Sequence, residues 1–100
     1  MDEIVRRIVA TVHPHKIVLF GSRARGEARL GSDIDLLVIT DSDEPRHRRP
    51  RRLYGALRDI MLPMDIVVYT PEEVEEWSQV RQAFVTYAVR EGRALYDEQA

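Results

Sequence analysis

Two strand-like runs, residues 17–20 and 33–40, are joined by a connector of small and polar residues too short to carry a full crossover helix. That spacing constrains the fold most, because parallel neighbours need such a crossover and antiparallel neighbours do not. The first two strands are therefore expected to run antiparallel. The next interval reads differently. A polar connection follows, then residues 50–61 with Leu53, Leu57, Ile60 and Met61 in helical phase, a break at Pro63, and a third strand over 64–69. Strand, helix and strand in that order make a β-α-β unit with parallel strands. The sheet is thus mixed, and Gly21, Ser22, Asp33 and Asp65 should share one of its edges.

The flanking segments read as helices. Ile4, Val5, Ile8, Val9 and Val12 make one stripe, with Asp2 and Glu3 in the first turn, and His13-Pro14-His15 ends it. Thr70-Pro71-Glu72-Glu73 carries a capping hydroxyl, a proline at the first helical position and then acids. A last helix over 80–91 stops at Gly92, and residues 94–96 form a short extended tail. One helical turn is expected over 22–27. The reading is an α/β (α+β) fold, a three-stranded mixed sheet flanked by about four helices, in the order α-β-(short α)-β-α-β-α-α.

A length of 100 residues suits one domain over 1–100, with one modest core and no acceptor-binding lobe. The chain has no cysteine, which excludes disulfide scaffolds, thiolate metal sites and cysteine nucleophiles. No charged-then-apolar leader opens it and no stretch suits a bilayer, so a cytoplasmic location and no membrane partner are expected. The formal charge of −2 argues against bulk binding to a nucleic-acid backbone. The oligomeric state stays open, a homo-oligomer included.

The chemistry concentrates at the shared edge. Side chains alternate along a strand, so Asp33 and Asp35 project from one face, and Asp65 opens the neighbouring strand at the same end. Carboxylates ~5 Å apart repel by roughly 3 kcal/mol per pair at an effective dielectric near 20. A fold carries such a cluster when a proton is shared or a cation neutralises it. Oxygen donors without nearby His or Cys indicate a hard ion, Mg²⁺ or Mn²⁺. Gly21-Ser22 lies where a strand gives way to a helical turn, and free N–H groups and a hydroxyl there can hold phosphate. Taken singly, Gly-Ser is an ordinary turn and Asp-x-Asp a solvated turn or cap. Together they suggest metal-assisted phosphoryl or nucleotidyl transfer.

Gly21-Ser22, ten residues, then Asp33-Ile34-Asp35 resembles the signature of the DNA polymerase β-like nucleotidyltransferase superfamily. Gly21-Ser22-Arg23-Ala24-Arg25-Gly26 and Ser32-Asp33-Ile34-Asp35-Leu36 are similar to its minimal, MNT-type branch. Met64-Asp65-Ile66-Val67-Val68-Tyr69 resembles the third-carboxylate strand, and the likeness extends through Arg90-Glu91-Gly92-Arg93-Ala94-Leu95-Tyr96. The resemblance implies that Gly21 and Ser22 hold a nucleoside triphosphate, usually ATP. It implies that Asp33 and Asp35 bridge two Mg²⁺ ions, and that Asp65 binds the one nearest the acceptor hydroxyl. For MNT-type members it implies an antitoxin that adenylylates a tyrosine of a helical HEPN-type toxin. Transfer to a small molecule such as an aminoglycoside, with an acceptor lobe from another chain, and a non-catalytic binding antitoxin are the alternatives. Arg23 and Arg25 lie in the signature loop, where they either contact triphosphate oxygens or pair with Glu27 and face water.

The run Arg46-His47-Arg48-Arg49-Pro50-Arg51-Arg52 reads either as a patch for phosphate, RNA or an acidic partner, or as a solvated connection. The second reading is preferred, since Asp41, Asp43 and Glu44 nearly cancel its field.

Overall fold

The computed structural model describes residues 1–21, 33–78 and 84–99. Among these, four α-helices and one four-stranded mixed sheet make an α+β fold. The order is α1 (Asp2–Val12), β1 (Lys16–Phe20), β2 (Ile34–Ile39), a 3₁₀ turn (Arg46–Arg48), α2 (Arg51–Ala56), β3 (Met64–Tyr69), α3 (Pro71–Trp77), α4 (Phe84–Glu91) and β4 (Arg93–Asp97). The strands lie in the order β3-β2-β1-β4. As the spacing predicts, β1 and β2 are antiparallel and β2 and β3 parallel. The helical turn expected over 22–27 lies outside the described residues.

The strand count differs from the expectation of three. The tail after Gly92 pairs antiparallel with β1 as β4, with a register shift between Ile17 and Val18. Gly92 permits this. A Cβ there would sit 2.3 Å from Val18 Cγ1 and 2.4 Å from the Ala88 carbonyl oxygen, so the end of α4 rests directly on β1.

Alternation along β2 splits the core into two layers. Ile34, Leu36 and Val38 pack with Ile4 and Ile8 of α1, with Leu53 of α2, and with Leu57 just beyond it. Leu37 and Ile39 face the other way, against Val85 and Ala88 of α4, Val18 and Tyr69. Seventeen apolar residues are buried among those described, and a full Val, Leu or Ile contributes roughly 1.5–3 kcal/mol, so the strands are held chiefly by these layers. Arg7 ties α1 to the turn after α2, donating from Nη2 to Asp59 at 3.1 Å and from Nε to Glu3 at 3.0 Å.

The basic run is corrected in one respect. Arg49 is not solvated: its side chain is 9% exposed, and its fork grips Glu73 at 2.6 and 3.2 Å while also reaching the carbonyls of Val68 and Glu44. Arg46 lies over the Tyr69 ring, 4.7 Å from its centroid, and donates to the Tyr69 hydroxyl at 2.7 Å. Apart from the Glu44 carbonyl these partners are distant in sequence, so the charges of the neighbouring acids do not by themselves decide where the run sits. The helix that follows is also shorter than expected, ending at Ala56 instead of reaching 61.

Candidate active site

The site forms where β1 ends and β2 and β3 begin. Phe20 pairs with Asp35 across the antiparallel ladder, and Asp35 pairs with Asp65 across the parallel one. Asp35 and Asp65 are therefore side by side on adjacent strands, on the α4-facing side of the sheet that also carries Leu37 and Ile39. The Ile34 N–H donates to the Pro63 carbonyl at 2.9 Å, which fixes the two strand starts against each other.

Gly21 closes the site from β1. Its φ of +77° is left-handed, and a Cβ there would lie 2.4 Å from Asp35 Oδ2. Two separate constraints thus require glycine: the backbone turn, and a carboxylate seated on its α-carbon.

Asp35 is half-buried, and its carboxyl is pushed above the usual carboxylate range by burial first, then by the charges of Asp65 and of Asp33. Asp33 and Asp65 are exposed. Asp35 therefore feels both other carboxylates, and none of the three has an ion-pair partner among the described residues. As the side chains stand, no group of three His, Asp or Glu among the described residues closes into an ion-holding cage. Asp35 and Asp65 are locked by the ladder, whereas Asp33 sits one residue before β2. Ser22, Arg23 and Arg25 lie outside the described residues.

Beside the acidic rim, the outer edge of β3 borders a cleft of about 640 Å³ lined by Arg46, His47, Pro50, Ile66, Val67, Val68 and Tyr69. Sequence reasoning missed this feature. It arises because the segment after β2 folds back over β3 at Tyr69, a return made by contacts distant in sequence such as Arg49–Glu73 and Arg46–Tyr69. The histidines take no part in the rim: His15 lies at the opposite end of the sheet, bonded to Asp41 and Glu98. No helix among the described residues is long and apolar enough to cross a membrane.

A strand edge with two facing carboxylates, a third beside them and a left-handed glycine under one of them suits chemistry on a phosphate ester. Comparison with known proteins agrees. The chain is 32% identical over 83 residues to the "putative protein adenylyltransferase MJ0604" of Methanocaldococcus jannaschii, covering 81% of this chain and 77% of that protein. Its fold matches a chain in a crystal structure of a toxin-antitoxin with AMP-PNP, with a TM-score of 0.62 and 23% identity over 98% of this chain and 73% of that one. The nucleotidyltransferase domain profile matches residues 1–99, from α1 through β4, and so takes in the whole acidic rim. The chain belongs to the nucleotidyltransferase domain family and is a nucleotidyltransferase enzyme.

Proposed function

We propose that this nucleotidyltransferase moves AMP from ATP to a hydroxyl of a partner protein, a tyrosine of a HEPN-type helical toxin, and silences it as an antitoxin. The observation that carries the reading is Asp35 in register with Asp65 on one face, with Gly21 pressed under the Asp35 carboxyl. The names of its relative and of its structural neighbour support the same direction, since one is named a "putative protein adenylyltransferase" and the other a toxin-antitoxin with AMP-PNP.

The donor set fits a hard divalent cation: carboxylate oxygens only, uncompensated among the described residues, on a carboxyl whose ionisation its neighbours oppose. Asp33 and Asp35 would hold two Mg²⁺ ions and Asp65 the one nearest the acceptor. When bound, the ions neutralise the developing charge on the transferred phosphoryl group. Gly21, with Ser22 and the arginines Arg23 and Arg25, would cradle the triphosphate, the glycine admitting a phosphate close to the backbone. The acceptor oxygen forms a bond to the α-phosphorus and the bond from that phosphorus to the bridging oxygen breaks. Pyrophosphate leaves, and the hydroxyl proton passes toward the Asp65 side and on to water. Asp33 and Asp65 are exposed, which suits an acceptor presented by another chain.

Incubation with α-labelled ATP, Mg²⁺ and a HEPN-type partner tests this. Label should appear on a partner tyrosine, and Asp33→Asn or Asp35→Asn should lower the rate by roughly a thousandfold, corresponding to about 4 kcal/mol of transition-state stabilisation. Label on no protein, or undiminished transfer by the Asp35→Asn variant, would overturn the reading.

A further inference from the structure

β3 is the outermost strand, so alternate residues turn their backbone groups away from the sheet. The Pro63 and Tyr69 carbonyls accept from Ile34 and Thr40 at 2.9 and 3.0 Å. By alternation Asp65 and Val67 also bond toward β2, leaving Ile66 and Val68 facing outward. Two of their four outward groups are taken. The Ile66 N–H donates to the Tyr54 hydroxyl at 2.9 Å, and the Val68 carbonyl accepts from Arg49 at 3.2 Å. The Ile66 carbonyl and the Val68 N–H have no partner among the described residues, and they border the cleft beneath Arg46 and His47.

A free carbonyl and a free N–H on either side of Val67 form the pair with which a parallel strand bonds one residue fully. That residue's N–H donates to Ile66 and its carbonyl accepts from Val68. An antiparallel strand would reach the same two groups through two residues, each bringing its second backbone group against the Tyr54 hydroxyl or the Arg49 fork. The residue opposite Val67 places its side chain on the acid-bearing face, since register partners share a face. Two positions before it lies the place beside Asp65, and two positions after it the place beside Tyr69 and Arg46. No residue lining the cleft is acidic, while Asp33, Asp35 and Asp65 gather at the rim end. A hydroxyl suits the first place and a carboxylate the second.

We propose that the cleft holds an extended segment of the acceptor polypeptide as a strand parallel to β3, its hydroxyl residue beside Asp65 and an acidic residue four positions later beside Arg46. This rests on the reading of the enzyme as one that modifies a protein hydroxyl, and it adds how the hydroxyl is presented.

Amide hydrogen exchange of the full chain, with and without a capped synthetic peptide containing Tyr-x-x-x-Glu, tests it. In the free protein the Val68 amide should exchange faster than those of Val67 and Tyr69. Adding the peptide should slow Val68 by roughly tenfold or more. Methylating the peptide nitrogen midway between Tyr and Glu should remove that protection, since that N–H has to reach the Ile66 carbonyl. Arg46→Glu should reverse the preference in favour of a Tyr-x-x-x-Lys peptide. Unchanged Val68 exchange, equal protection by the methylated peptide, or tighter binding of a Glu-x-x-x-Tyr peptide would each overturn the proposal. Label transfer to the intact partner, measured alongside, reports on the chemistry separately. Transfer with Val68 unprotected overturns the docked strand alone, and protection without transfer keeps the strand and overturns adenylylation.

Discussion

At the residue scale, the contact between Gly21 and Asp35 joins the two halves of the signature. Gly21→Ala should destabilise the fold by about 1–2 kcal/mol for the left-handed turn alone. It should also displace the Asp35 carboxyl, which a Cβ would meet at 2.4 Å. Chemical denaturation measures the first effect, and nucleotide binding by calorimetry should weaken with the second. Asp35 makes the opposite prediction. Its pKa is raised in the fold, so the native state holds its proton more tightly than the unfolded chain does. Stability from this group is present below the folded pKa and declines as the carboxyl ionises, which makes the charged form a liability at neutral pH. Asp35→Asn should therefore raise the midpoint of thermal unfolding without Mg²⁺ while removing transfer activity, and wild type should gain the more when Mg²⁺ is added. A wild-type midpoint equal to or above the variant's in chelator would contradict the burial and repulsion assigned to Asp35. These residues were legible because strand alternation and spacing suffice to bring Asp35 beside Asp65. The direct contact with Gly21 was not, since it depends on where Oδ2 comes to rest.

At the scale of elements, legibility followed the range of the interactions. The start of α3 is local: Thr70 accepts from the Glu73 N–H at 3.2 Å, the Glu73 carboxylate accepts from the Thr70 N–H at 2.9 Å, and Pro71 takes the first helical position. All of that is written in four consecutive residues. β3 was equally plain, an apolar run between Pro63 and Thr70. The position of Arg49 was not, because its partner Glu73 lies on another element and nothing beside Arg49 in sequence announces it. β4 was hidden for the same reason, as a short tail becomes a strand only when β1 offers an edge. Glu73 serves both the cap and the arginine, and Arg49 holds its pKa down at about 2. Arg49→Met should cost roughly 2–3 kcal/mol, because it leaves a partly buried carboxylate without its cation and frees the Val68 carbonyl. Glu73→Gln retains the cap and should cost less. The pH dependence follows from the lowered pKa: the pair's contribution is present above about pH 4.5 and is lost as pH falls toward 2. Urea unfolding of both variants at neutral and acid pH checks this, and a wild-type advantage that persisted at pH 2 would deny the pair its charge.

For the whole molecule, the sheet has two chemically different ends. One gathers carboxylates that have no ion-pair partner among the described residues, and the other places a histidine between two carboxylates. His15 Nδ1 meets Glu98 and Nε2 meets Asp41 Oδ2 at 3.1 Å, while its backbone accepts from the Glu98 N–H at 3.0 Å and donates to the Ile39 carbonyl at 2.8 Å. It thus fastens the end of β4 to β1 and to the exit of β2. The strand order that makes this possible could not be read from the chain, since spacing sets the direction of neighbours and not which edge the last strand joins. The bond to Glu98, then that to Asp41, raises the His15 pKa above 6.5, because both carboxylates favour the imidazolium. The imidazolium is the form that can donate from both nitrogens at once. Its stabilisation is therefore complete below pH 6.5 and is lost as pH climbs through the raised folded value. Wild type should unfold at a higher temperature than His15→Gln at about pH 5.5, and the gap should narrow by about pH 8.5. The change should appear first as faster amide exchange in β4, the edge strand held at this end, with β2 and β3 unaffected. A gap that stayed constant across that range, or widened, would mean that His15 acts through packing alone and that its charge does not secure the last strand.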